Sequence, residues 1–82
     1  MEKVKTEIID HFNKKGNNFK KRLKREFLKN ETIISNPRIY VYRDILIYEM
    51  FKELSASNDQ IFDDVENPLH LIETTLFNYL ND

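Results

Sequence analysis

Lys20, Lys21, Arg22, Lys24, Arg25 and Lys29 place six cations in the stretch NNFKKRLKREFLKN, residues 17–30, beside one carboxylate, Glu26. Side chains three and four positions apart share a helix face, so Lys21, Lys24, Arg25 and Lys29 would form one ridge with Arg22 on its flank. Like charges at those spacings repel by a few tenths of a kcal/mol per pair. A ridge of this kind can neutralise phosphate oxygens and release condensed counterions, which makes binding fall steeply with salt. The lysines suit phosphates, whereas the forked donors of Arg22 and Arg25 suit the edge of guanine. The partner expected on these grounds is DNA or RNA. Two plainer readings stand beside it. The ridge can be the solvated side of an amphipathic helix, or it can lie against acidic residues of its own chain. Between Phe19 and Leu28 there is also no Ser, Thr, Asn or Gln, the types that a base-reading helix usually mixes in.

The second half of the chain has the opposite charge. Residues 1–43 hold twelve Lys/Arg and five Asp/Glu, whereas residues 44–82 hold one Lys and nine Asp/Glu, so the net charge of −1 conceals two opposed halves. Asp59, Asp63, Asp64, Glu66 and Glu73 form a candidate acidic docking face for a protein partner with a basic surface. Tyr40, Tyr42, Tyr48, Phe51 and Tyr79 are aromatic types that anchor protein interfaces, although in a chain of 82 residues many aromatics are needed in the core. The run DQIFDDVE lacks the ligand spacing and the glycine of a calcium loop, so no metal is expected there.

Catalytic chemistry has little to work with. The chain has no Cys, which removes thiol nucleophiles, thiolate ligands and disulfides. Its two histidines, His11 and His70, stand in neither a nucleophile elbow nor a metal-ligand pattern. There is no glycine-rich phosphate loop. No enzymatic activity and no cofactor are therefore expected. The opening MEKVKTEIIDHF is broken by charge, and nothing elsewhere reaches 18 consecutive apolar residues, so a cytoplasmic protein without stable membrane insertion is expected.

These residues must be positioned by helices. Val4, Ile8 and Phe12, with Ile9 adjoining, mark an amphipathic helix over residues 2–14. Gly16 follows as a left-handed cap, and Asn17 or Asn18 as the next N-cap. Phe19, Leu23 and Phe27, widened by Leu28, form the apolar stripe of the basic helix, which ends near Asn30 or frays through Ile34. A strand over Arg38–Tyr42 would lack a partner. A helix opened by Asn36 and Pro37 and running to Leu54 is preferred, with Ile39, Tyr42, Leu46 and Met50 on one face. Its other sides carry Ile45, Ile47, Tyr48 and Phe51, a distribution that fits burial by neighbours or a dimer interface. Ser57 and Gln60 resemble a capping box opening a short helix with Ile61, Phe62 and Val65. A last helix starts at Asn67–Pro68 and presents Leu69, Ile72, Leu76, Phe77 and Leu80.

The fold expected is all-α, a single domain over residues 1–82 built as a compact bundle of four to five short helices. Its N-terminal pair resembles a helix-turn-helix. The function expected is that of a small nucleic-acid-binding regulatory protein, with a homodimer interface through the third or final helix. The alternative is an interaction module or inhibitor whose acidic, aromatic half docks on a larger protein.

Overall fold

The computed structural model describes residues 2–28 and 37–81, with side chains of the second stretch described from Arg43 onward. Four helices follow one another: α1 (Glu2–Lys14), α2 (Asn17–Leu28), α3 (Pro37–Ser57) and α4 (Pro68–Asn81). No strand occurs among the described residues, and Arg38–Tyr42 lies within α3. The expected caps and ends at Asn30, Ile34 and Asn36 fall outside the described residues.

The α1–α2 junction departs from the expected cap. Gly16 is not in the left-handed region. Its carbonyl accepts from Lys20 N at 3.2 Å, so Gly16 is the N-cap of α2 and Asn17 is already the first helical residue. Lys15 N donates to Phe12 O at 3.1 Å, which tightens the end of α1 without a reversed backbone. The two N-terminal helices then part, α1 packing chiefly on α4 and α2 on α3.

Helix α3 runs three positions beyond the expected end at Leu54. Ser57 Oγ donates to the carbonyls of Glu53 and Leu54 at 3.2 and 3.1 Å, and Asn58 N donates to Leu54 O at 3.0 Å, so the final turn is satisfied without a break at Ser55. The short helix expected from Ser57 is absent. In its place are turns with bonds from Ile61 N to Asn58 O, Asp63 N to Gln60 O and Val65 N to Phe62 O, at 3.1, 3.2 and 3.0 Å. Asn58 Oδ1 accepts from Gln60 N at 3.1 Å, offering the backbone a turn where a capping box was expected. The segment needs only to deliver Ile61 to the core, and turns achieve that. The Asn67–Pro68 start of α4 is as expected, with Asn67 Oδ1 accepting from His70 N at 3.2 Å.

The core takes Ile8 and Phe12 from α1, Leu23 and Phe27 from α2, Leu46, Ile47, Met50 and Leu54 from α3, Ile61 from the turns, and Leu71, Ile72 and Leu76 from α4. Each such side chain contributes about 1.5–3 kcal/mol through removal from water. The stripes of α2 and α4 turn out shifted, while α3 keeps Leu46 and Met50 inward as expected. Leu28 is 68% exposed while Glu26, at 5%, fills the third buried place on α2 beside Leu23 and Phe27. On α4, Leu71 and Thr75 are buried while Leu69 and Phe77 face outward. On α3, Ile45 and Tyr48 are exposed and the buried face runs through Arg43, Leu46, Ile47, Met50 and Leu54.

Candidate nucleic-acid interface

The rotation of α2 decides what its cations can do. With Leu23, Glu26 and Phe27 turned inward, Lys21, Arg22, Lys24 and Arg25 are exposed and Lys20 is half-buried. Among the described residues, Lys20, Lys21, Lys24 and Arg25 form no ion pair with a carboxylate. Lys29 lies outside the described residues. The ridge is therefore not sheathed by the described acidic residues, the arrangement that would have silenced it.

Lys20, Lys21 and Lys24 also line a concavity of about 270 Å³ together with Asn17, Phe12 and Asn13 of α1, and Tyr79 and Leu80 of α4. Contacts between α1 and α4 hold Tyr79 at this concavity. The Tyr79 ring stands edge-on to Phe12, with centroids 6.3 Å apart and planes at 82°. The Asn13 amide straddles the phenolic oxygen, with Asn13 Nδ2 donating to Tyr79 Oη at 3.1 Å and Tyr79 Oη donating to Asn13 Oδ1 at 3.3 Å. Tyr79 remains 40% exposed, so part of its side chain is open to another molecule. Cations, amides and an aromatic ring thus converge on one recess.

Other cations are engaged elsewhere. Lys15 Nζ is 2.8 Å from Glu53 Oε1 and lies 4.5 Å from the centroid of Phe19. His11 Nε2 is also 2.8 Å from Glu53 Oε1, tying α1 to α3. The Lys15 ammonium, and secondarily the His11 hydrogen bond, hold the Glu53 carboxyl below its ordinary value of 4.5 against an opposing effect of burial. Arg43 is buried, with Nη2 3.5 Å from Glu73 Oε2 and its guanidinium 5.5 Å from the Phe27 centroid. Sequence reading singled out neither Glu26 nor Arg43. Both sit at helical spacing within apolar stripes, three residues after Leu23 and three before Leu46, which is the signal that could have found them.

The acidic set divides. Asp59, Asp63, Asp64 and Glu66 are exposed on the turns between α3 and α4, whereas Glu73 is half-buried on α4 beside Arg43. The aromatic set divides as well. Tyr48 stacks on Phe51 at 6.1 Å and Phe51 on Phe62 at 5.4 Å, a row reaching from α3 to the acidic turns. Tyr79 belongs instead to the lysine-lined recess. The side chains of Tyr40 and Tyr42 lie outside the described residues. His70 is 67% exposed and 3.9 Å from Glu73. Among the described residues no group of three His, Cys, Asp or Glu could hold a metal ion, and no helix is long and apolar enough to cross a membrane.

Over the described residues, then, fold and site define an all-α protein of four helices with one face of α2 left cationic and open. No family model matches the chain, and no curated protein or solved structure matches it either.

Proposed function

We propose that the chain is a small nucleic-acid-binding regulatory protein that holds phosphates with Lys20, Lys21, Lys24 and Arg25. Arg22 belongs to the same helix, and Lys29 follows it in the sequence, outside the described residues. One observation carries the proposal: the first four of these cations make no ion pair among the described residues, and three of them border a recess that also presents amides and an aromatic ring. Unpaired cations on one helix can meet phosphates without first breaking an ion pair, and displace the condensed counterions. Fluorescence anisotropy with a labelled oligonucleotide tests it, comparing the natural chain with one carrying Lys21→Glu, Lys24→Glu and Arg25→Glu together. These three side chains are exposed, so the fold should survive their reversal. Association at low salt, lost in the reversed chain, is expected. No association at low salt, or affinity unmoved by reversal, removes the proposal.

A second reading is favoured by a different observation. The Tyr48–Phe51–Phe62 row ends on the turns that carry Asp59, Asp63, Asp64 and Glu66, placing aromatic contact area beside a cluster of negative charge. Such a surface suits a basic protein partner, with charge steering the encounter and rings supplying contact. Reversing Asp59, Asp63 and Asp64 to Lys discriminates the two. A partner captured by the natural chain and lost on this reversal supports docking, whereas nucleic-acid affinity should be retained or raised.

A further inference from the structure

We infer that the recess between α1, α2 and α4 is a seat for one unstacked base of a single-stranded nucleic acid, with its flanking phosphates on the α2 lysines. The inference rests on the nucleic-acid reading above and specifies which form of nucleic acid that surface takes. A helix that reads duplex DNA must stand proud of the protein to enter the major groove. Here Lys20, Lys21 and Lys24 border a shallow concavity, and Lys20 is half-buried. A hollow accepts an extruded group better than it fits a continuous groove.

The chemistry around the hollow matches a nucleotide in parts. Lys20, Lys21 and Lys24 supply charge for phosphate oxygens, while Phe12 and Leu80 supply an apolar floor. Tyr79 supplies a ring already held by Phe12 and Asn13 and 40% exposed, so stacking a base on it costs little ordering. Stacking on an aromatic ring tolerates any base, because every base has a π-face, and it is closed to a base still paired within a duplex. The absence of hydroxyl and amide side chains between Phe19 and Leu28, awkward for a base-reading helix, is no obstacle to this mode.

The test is an anisotropy titration with three probes of equal length: an oligothymidylate of about ten nucleotides, the same strand made wholly abasic, and a duplex. The natural chain should bind the thymidylate roughly tenfold more tightly than the abasic strand, and more tightly than the duplex. Tyr79→Ala should erase the difference between thymidylate and abasic strand, and Tyr79→Phe should keep it. Equal affinity of the natural chain for thymidylate and abasic strand overturns the base seat, and does so without any variant. Preference for the duplex overturns it as well, while leaving phosphate binding by α2 in place. Failure to bind all three probes at low salt removes both this inference and the reading beneath it.

Discussion

Neutralising Lys24 should change how binding responds to salt, by an amount that follows from the structure. Lys20, Lys21, Lys24 and Arg25 are the cations of α2 that make no ion pair among the described residues. If each neutralises one phosphate of a single strand, the slope of log K against log salt is about −0.7 per cation, or about −2.8 in all. Raising salt from about 50 to about 200 mM should then weaken binding about fiftyfold. Lys24→Gln removes one contact and should bring the slope to about −2.1, so that the same change in salt weakens binding only about eighteenfold. Lys24 is exposed, and the substitution should leave the thermal midpoint nearly unchanged. Anisotropy titrations at four or more salt concentrations give both slopes. A slope that Lys24→Gln does not alter, or a natural slope shallower than about −1, would refute the assignment of these side chains to phosphates.

Three further outcomes concern the scaffold. Gly16→Ser should raise stability by a few tenths of a kcal/mol, because Gly16 is the N-cap of α2, has ordinary backbone angles, and nothing lies within 4 Å of an added Cβ; a thermal melt that shows a loss would place Gly16 in a different role. Glu26→Met should stabilise by about 1–3 kcal/mol, since Glu26 is 5% exposed and its Oε2 has no hydrogen-bond partner among the described residues; on a domain this size that raises the melting midpoint by several degrees, and a fall would mean the carboxylate is satisfied. Glu53 has a lowered folded value, so its contribution is present above its ordinary value of 4.5 and is lost as pH falls through the lowered one. Glu53→Gln should therefore cost about 0.2–1 kcal/mol at neutral pH and flatten the acid side of the stability profile, as followed by circular dichroism.

The helices were legible because their signals are local. The spacing of Val4, Ile8 and Phe12 marked α1, and Asn67–Pro68 marked the start of α4 to the residue. What the pattern could not supply was rotation about each helix axis. Leu28 and Glu26 stand two residues apart on α2, and only the packing of α2 on α3 decides which one turns inward. The same holds for Leu71 against Leu69 on α4. The turns over residues 58–67 were missed because Ser57 and Gln60 satisfy a capping pattern that the Asn58 side chain and the continuing turn of α3 outcompete. For the candidate site, the cations were plain in the sequence, but their recess was not. Tyr79 lies 58 positions after Lys21 in the chain, and it meets the lysines only because α1 packs on α4 and brings Phe12 and Asn13 against its ring.

The central claim is that one face of α2 is where the chain meets another molecule. Amide chemical-shift mapping on the isotopically labelled protein, titrated at low salt with the oligothymidylate, tests this most directly. Shifts should cluster on Asn13, Asn17, Lys20, Lys21, Lys24, Arg25 and Tyr79 and leave residues 58–67 unmoved. Shifts confined to residues 58–67, or no shifts at all at saturating oligonucleotide, would contradict it.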